Sequence, residues 1–144
     1  YADYLNEDDV WNGYEKRLQT GNSLGERMKN AFEEVFNIGF NKVCIIGSDC
    51  YELSRPVIAE AFENLQTCKT VIGPANDGGY YLLGMQHPFK DVFSNIEWST
   101  SNVFIETINK INTQGLTCHL LTYLNDIDEE KDLRQSSLAY LLDK

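Results

Sequence analysis

The sequence predicts an α/β fold in which helices cover both faces of a mostly parallel sheet, giving three αβα layers. Short, continuously apolar runs alternate along the chain with segments that carry apolar residues at helical spacing, an alternation typical of parallel sheets. The chain has 144 residues, of which 42% are hydrophobic, so it has the size and apolar content of one domain. We therefore expect a single domain over residues 1–144, with residues 1–22 irregular because they show no clear period.

The first half of the chain predicts two helices and two strands. Apolar residues recur every three or four positions over residues 24–38, which indicates a helix. The run KVCIIGS at residues 42–48 has the continuous apolar pattern of a strand buried on both faces. Ser54 is expected to cap a second helix, and the run TVIGPA at residues 70–75 is expected to form the second strand.

The second half continues the alternation. The run YYLLGM at residues 80–85 predicts a third strand, and the segment 99–115 predicts a helix that begins with capping residues and ends in glycine. The run LTCHLLTYL at residues 116–124 predicts a fourth strand. Residues 128–144 predict a final helix with acidic residues in its first turn and lysine at its end.

Charge narrows the class of ligand. The chain carries 22 acidic and 12 basic residues, a net charge of -10, which disfavours a surface that follows nucleic-acid phosphates. An acidic protein that handles phosphorylated small molecules needs a divalent cation or a few local basic groups. No apolar stretch reaches membrane-spanning length, so we expect a soluble, cytoplasmic protein. The cysteines form no CxxC pair and predict reduced thiols: Cys44, Cys50, Cys68 and Cys118.

The motif IIGSDC ends the first predicted strand at an acidic residue, Asp49. Open α/β sheets bind ligands beyond the carboxyl ends of their strands. A carboxylate at that edge can hold Mg²⁺ or Mn²⁺ against a diphosphate, since these ions prefer oxygen ligands. The alternative is that Asp49 caps a turn, and the motif alone does not choose between the two.

The motif GPANDGGYYLLG places a carboxylate beside two glycines. Asp77 can accept a hydrogen bond or a proton from a hydroxyl, while Gly78 and Gly79 let backbone N–H groups approach a ligand closely. The motif taken alone favours another interpretation, a glycine-rich hairpin turn between the second and third strands. Because side chains alternate along a strand, at most one of Tyr80 and Tyr81 is expected to face the cleft.

Two further segments contribute candidates. After the fourth predicted strand, Asp126 is free to act as a second metal ligand, whereas capping the last helix is the more typical role for Asp128. Trp98 can stack on the apolar face of a sugar, although a tryptophan before a helix is more often part of the core. Ser99 and Thr100 can cap the following helix or contact a phosphate or hydroxyl there.

Five segments together resemble one family. SLGERMKNAF, CIIGSDC, GPANDGGYYLLGM, IEWSTSNV and LNDIDEEKDL occur between Gln19 and Leu133 in the order and approximate spacing seen in an uncharacterised bacterial family of GT-A-type transferases. Some members are labelled glycosyltransferases, including ones linked to arsenosugar biosynthesis. The family is distantly similar to nucleotidyltransferases of the molybdenum cofactor guanylyltransferase kind.

The resemblance implies a GT-A fold and transfer from a nucleotide-activated donor. Together with the acidic motifs, it leads us to expect Mg²⁺- or Mn²⁺-dependent transfer of a sugar from a nucleotide-sugar donor to a small-molecule hydroxyl acceptor. By motif, Asp49 resembles the metal-binding aspartate of a DxD-like signature whose first acid is replaced here by Gly47. The other matching positions belong to the loop beside the acceptor, the W-S/G-T element and the late acidic motif: Asp77, Gly78, Gly79, Trp98, Ser99, Thr100, Asp126 and Asp128.

The sequence departs from the family pattern in two places. Tyr51 stands where the family usually has proline after GSDC. The family's first strand and its basic Gly-Lys-x-Lys-Thr-Arg-Leu loop have no counterpart, so we expect that an N-terminal segment of the fold lies outside this chain. Two alternatives to sugar transfer therefore remain: nucleotidyl transfer with release of pyrophosphate, and a non-catalytic binding module with the same fold.

Overall fold

The computed structural model of the protein describes residues 1–5, 9–125, 127, 130–136 and 138–143. Its α-helices and β-strands follow one another in the order α1 (Leu24–Asn37), β1 (Val43–Ile46), α2 (Arg55–Asn64), β2 (Thr70–Pro74), β3 (Tyr80–Met85), α3 (Val103–Thr113), β4 (Cys118–Leu120) and α4 (Glu130–Gln135). Two 3₁₀ helices lie at Lys90–Phe93 and Ala139–Asp143. The α/β prediction is confirmed, and β4 is shorter than the sequence predicts.

The four strands form one mixed sheet in the order β1-β3-β2-β4. The prediction of a mostly parallel sheet is wrong, because β3 runs antiparallel to both of its neighbours and only β2 and β4 pair in parallel. Only residues 75–79 separate β2 from β3, which is too short for the crossover that a parallel pair needs. The glycine-rich segment is therefore a hairpin, as the alternative interpretation predicts.

Helices cover both faces of the sheet. On one face α1, α3 and the 3₁₀ helix Lys90–Phe93 enclose a buried cluster that includes Phe32, Leu83 and Ile111. On the other face α2 closes a second cluster that includes Leu65. The three-layer arrangement leaves β1 at one edge of the sheet and α1 beside it, and this edge forms the wall of the cleft described below.

A bulge in the hairpin sets the direction of its tyrosines. Gly73 pairs with Leu82 and Pro74 pairs with Tyr80, so Tyr81 has no partner between them. Proline donates no ladder hydrogen bond and is tolerated at such a bulge. As a result Tyr81 and Leu82 both belong to the cluster under α2, whereas Tyr80 packs against the cluster on the α1 face.

Tyr81 anchors the hairpin to the segment after β4. A Cβ atom on Gly73 would lie 2.3 Å from the Tyr81 ring, so the ring packs on bare backbone. The hydroxyl donates a 2.8 Å hydrogen bond to the Thr122 carbonyl. Burial, followed by the nearby Cys50 and Glu60, raises the pKa of Tyr81 to about 12.

Tyr81→Phe is expected to lower the free energy of unfolding by about 1 kcal/mol, because the Thr122 carbonyl loses its hydroxyl donor. Urea unfolding followed by circular dichroism measures this. The matched control is Tyr123→Phe, which removes the hydroxyl of an exposed tyrosine. Equal changes in the two variants would contradict the anchoring role.

The last predicted helix is divided. In the described part of residues 128–144, α4 ends at Gln135 and a 3₁₀ helix begins at Ala139. Between them the Ser136 hydroxyl donates to the Leu133 carbonyl and accepts from the Leu138 N–H. A serine side chain that bonds the local backbone competes with the helical ladder, which explains the break. None of the described helices combines the length and apolar character needed to cross a bilayer.

Candidate functional site

A cleft of about 960 Å³ lies between α1, β1 and the loops at the adjoining end of the sheet. The residues predicted from sequence that line it come from three separate segments: Asp49, Asp77, Gly79, Tyr80, Trp98, Ser99 and Thr100. β1 and β2 both run antiparallel to β3, so they point the same way and their carboxyl ends meet at one edge. The loops after these two strands carry Asp49 and Asp77 to that edge.

Asp49 presents an open carboxylate at the end of β1. The Gly47 N–H donates to the Tyr81 carbonyl at 2.9 Å, which continues the β1–β3 pairing up to the loop. The Asp49 carboxylate turns back over Gly47, where an added Cβ would lie 2.6 Å from Oδ1. Asp49 is exposed, and no described residue donates a hydrogen bond to its carboxylate, so the turn-capping alternative has no donor in the described chain.

Asp77 lies in the hairpin with one oxygen fixed. The Gly79 N–H donates to Asp77 Oδ1 at 2.8 Å, and an added Cβ on Gly79 would lie 3.3 Å from the same oxygen. The turn is closed by backbone bonds from Ala75 to Gly79 and from Gly78 to Ala75. Asp77 Oδ2 accepts no hydrogen bond from the described residues, so it is available to a ligand in the cleft.

Gly78 has a different environment from Gly79. Its φ is +95°, and an added Cβ would lie 2.0 Å from the Ser101 carbonyl oxygen. The Phe104 N–H donates to the Gly78 carbonyl at 2.9 Å. The space left by the missing side chain is therefore filled by the segment that leads into α3, and Gly78 is absent from the cleft wall. Its predicted contact with substrate stays a prediction.

Trp98, Ser99 and Thr100 form another part of the cleft wall. The Trp98 ring is half-buried, stacks on Phe93 and packs so closely on Gly25 that a Cβ there would lie 2.4 Å away. It belongs to the core and also borders the cleft.

The hydroxyls of this wall differ. The Thr100 hydroxyl is already used, because it donates to the Glu97 carbonyl and accepts from the Asn102 N–H. Ser99 is exposed with φ +62°. Its hydroxyl makes no hydrogen bond with the described residues and is free to contact a ligand.

The Tyr80 side chain forms an apolar part of the cleft wall. Its hydroxyl lies 3.8 Å from the Met28 sulfur, and burial raises its pKa well above the usual value. Such a phenol stays protonated under ordinary conditions, which suits a wall residue better than a base.

The cleft lining also includes residues outside the predicted site, among them Arg27, Gln19 and Cys44. Arg27 pairs with Asp3 at 2.7 Å on the surface, and it also brings a cation to the cleft. Gln19 lies in a segment without periodicity, so its sequence carries no signal of a site. Cys44 lies in an apolar strand, where burial raises the pKa of its thiol to about 12 and keeps it neutral.

The carboxylates fit a cation that arrives with a phosphorylated ligand. Within the ranges that the structure describes, no three His, Cys, Asp or Glu residues group closely enough to hold a metal ion, and Asp126 and Asp128 lie outside those ranges. The Ile127 N–H donates to the Asp49 carbonyl at 3.3 Å, which brings Ile127 beside the Asp49 loop. Mg²⁺ commonly binds through one or two carboxylates, substrate phosphates and water. The exposed carboxylate of Asp49 is of this kind, and metal binding stays a prediction.

Gly47→Ala is expected to weaken Mn²⁺ binding about tenfold while changing the free energy of unfolding by less than about 0.5 kcal/mol. The new Cβ displaces the Asp49 carboxylate, while the nearest backbone atom, the Tyr81 oxygen, is 4.0 Å away. Electron paramagnetic resonance of free Mn²⁺ measures the affinity. In a protein that already carries Asp49→Asn, Gly47→Ala should not weaken Mn²⁺ binding further. Unaltered Mn²⁺ affinity in Gly47→Ala alone would contradict the positioning of the carboxylate by Gly47.

Comparison with known proteins places the chain in a family. Residues 2–100 match a bacterial family described as "Uncharacterized protein conserved in bacteria (DUF2064)". The protein belongs to this family. The DUF2064 chain is also similar to the crystal structure of a "putative nucleotide-diphospho-sugar transferase" from Desulfovibrio desulfuricans G20, with 35% identity and a TM-score of 0.78. The match covers 88% of this chain and 61% of that one, so the DUF2064 chain spans about 61% of the length of its structural relative.

No curated protein matches the DUF2064 chain. The comparisons confirm a bacterial family and a fold similar to that of a nucleotide-diphospho-sugar transferase. The narrower resemblance, to GT-A enzymes linked to arsenosugars, stays a prediction, as do the roles of the individual site residues.

Proposed function

We propose that this DUF2064 protein is a metal-dependent glycosyltransferase that moves a sugar from a nucleotide-sugar donor to a small-molecule hydroxyl acceptor. The observation that carries the proposal is the meeting of two exposed carboxylates, Asp49 and Asp77, from two strand ends in one cleft. A donor site and an acceptor site need separate polar groups at such a position. Similarity to the protein from Desulfovibrio desulfuricans G20 supports the same class of reaction.

The donor side is built on the Asp49 loop. Asp49 would hold Mg²⁺ or Mn²⁺, with Asp126 and Asp128 as further ligands. When bound, the cation neutralises the diphosphate and stabilises it as a leaving group. Asp49 offers its carboxylate at the end of β1 because Gly47 leaves room for it and the β1–β3 pairing extends to the loop.

The acceptor side is built on the hairpin. Asp77 Oδ1 is held by the Gly79 N–H, which leaves Oδ2 to accept the hydrogen bond, and then the proton, of the attacking hydroxyl. Gly79 lets the acceptor approach that carboxylate. The half-buried Trp98 ring provides an apolar surface for a sugar, and the Ser99 hydroxyl can bond one of its polar groups.

Product analysis tests the reaction class. The complete gene product is incubated with Mn²⁺ and either a panel of nucleotide sugars with small hydroxylated acceptors or nucleoside triphosphates with sugar phosphates. Sugar transfer releases a nucleoside diphosphate, and Asp77→Ala is expected to slow this release by roughly 100-fold or more. Release of pyrophosphate would instead assign nucleotidyl transfer, and turnover that Asp77→Ala leaves intact would exclude Asp77 as the base.

A further inference from the structure

Hydrogen bonds centred on Asn125 join three loops at the carboxyl end of the sheet. The Asn125 N–H donates to Glu52 Oε2 at 2.8 Å, and Asn125 Nδ2 donates to Glu52 Oε1 at 3.2 Å. Asn125 Oδ1 accepts a 2.8 Å bond from Asn76 Nδ2. Glu52 follows β1, Asn76 follows β2 and Asn125 follows β4, so this one asparagine contacts the exits of three strands.

The chain after β4 forms a strap across this edge of the sheet. Leu124 pairs with Ala75 beside the end of β2, and its carbonyl accepts from the Asn76 N–H at 3.1 Å. Farther along, the Ile127 N–H donates to the Asp49 carbonyl at 3.3 Å. β4 lies at the far edge of the sheet from β1, so the strap spans the whole width to reach the Asp49 loop.

The strap supplies a connection that the sheet itself does not. Because β3 lies between β1 and β2, no strand pairing ties the loop after β1 directly to the loop after β2. Asn76 immediately precedes Asp77, and Glu52 lies in the same loop as Asp49. Besides the backbone bonds of the strap, a path of side-chain hydrogen bonds from one carboxylate loop to the other runs through Asn125.

The chemistry of the contact requires an amide at residue 125. An ionised glutamate only accepts hydrogen bonds, so Glu52 turns the Asn125 Nδ2 group towards itself and leaves Oδ1 for Asn76. Aspartate at this position would keep the acceptor for Asn76 but place a second carboxylate against Glu52. Like charges at that distance repel and open the contact.

We propose that Asn125 is a positioning residue, which fixes the Asp49 loop and the Asp77 hairpin relative to each other so that both carboxylates meet one ligand. The consequence for ligand binding rests on the proposed function, whereas the fixing of the two loops does not.

The experiment compares three variants of the complete gene product with the wild type. Asn125→Asp opens the contact. Glu52→Gln with Asn125→Asp restores it, because a glutamine amide can donate to the new carboxylate while its oxygen still accepts from the backbone N–H. Asn41→Asp makes the same change of charge at an exposed asparagine beyond the opposite end of β1. The two readouts are amide hydrogen exchange at Ile127 and Mn²⁺ affinity from electron paramagnetic resonance.

Asn125→Asp is expected to speed exchange at Ile127 and to weaken Mn²⁺ binding, each roughly tenfold, and the double variant is expected to recover most of both. Asn41→Asp should change neither. Unchanged exchange at Ile127 in Asn125→Asp overturns the proposal, as does faster exchange with unaltered Mn²⁺ affinity.

The failure of the proposed function is a separate result. A wild type that binds no Mn²⁺ overturns the metal-dependent reaction, and exchange at Ile127 then decides the positioning role alone. Faster exchange in Asn125→Asp that the double variant reverses supports that role, and unchanged exchange overturns it.

Discussion

Gly78→Ala is expected to lower the free energy of unfolding by about 3 kcal/mol. A residue with a side chain costs about 1 kcal/mol at this positive φ, and the clash of the new Cβ costs about 2 kcal/mol more. The φ of Gly78 is +95°, and the added Cβ would lie 2.0 Å from the Ser101 carbonyl oxygen. Backbone on both sides of the clash must move to relieve it, which would also strain the Phe104 bond to the Gly78 carbonyl. Urea unfolding measures the change.

A substitution at a second glycine separates the backbone cost of a positive φ from the cost of the clash. Gly39 has a φ of +107° but no atom within 4 Å of an added Cβ. Gly39→Ala therefore carries only the backbone cost and is expected to lose about 1 kcal/mol. If Gly78→Ala loses no more than Gly39→Ala, the close approach of the hairpin to the start of α3 is not present in solution.

Asp49→Asn is expected to lower the rate of sugar transfer at fixed Mn²⁺ on the order of 100-fold, because an amide is a much weaker ligand for the cation than a carboxylate. Its effect on the free energy of unfolding should be small, since no described residue donates a hydrogen bond to the Asp49 carboxylate. Rates with saturating acceptor, and urea unfolding of the same samples, measure the two quantities.

Asp91→Asn is the matched control. It removes one negative charge from an exposed position in the 3₁₀ helix Lys90–Phe93, away from the cleft wall. It is expected to retain the wild-type rate within about twofold, as for most surface changes. Similar losses of rate in the two variants would mean that net charge, not metal ligation, explains the effect of Asp49→Asn.

Much of the architecture follows from local pattern. The apolar periods place α1, α2 and the strands because each element buries an apolar face that its own sequence displays. The direction of β3 was also within reach, since residues 75–79 are too few for a crossover, but the regular alternation of helices and strands favoured a parallel sheet instead. The break after α4 depends on the local bonds of Ser136, which periodicity does not reveal.

The candidate site, too, could be predicted from the sequence only in part. Asp49 and Asp77 could be placed together from sequence because each follows a strand and the two strands point the same way. The close approach of Gly78 to Ser101 depends on how α3 packs against the hairpin, so the motif itself does not show that this segment fills the space beside Gly78. The contact of Asn125 with Glu52 joins residues 73 positions apart and has no local signal.

Isothermal titration calorimetry of nucleotide sugars into the complete gene product tests the central claim most directly. A panel with different bases and sugars is titrated with and without Mn²⁺, into the wild type and into Asp49→Asn. A donor site that uses Asp49 and a divalent cation predicts binding of at least one nucleotide sugar that requires Mn²⁺ and is lost in Asp49→Asn. Absence of binding by the wild type across the panel, or Mn²⁺-dependent binding that Asp49→Asn retains in full, would contradict it.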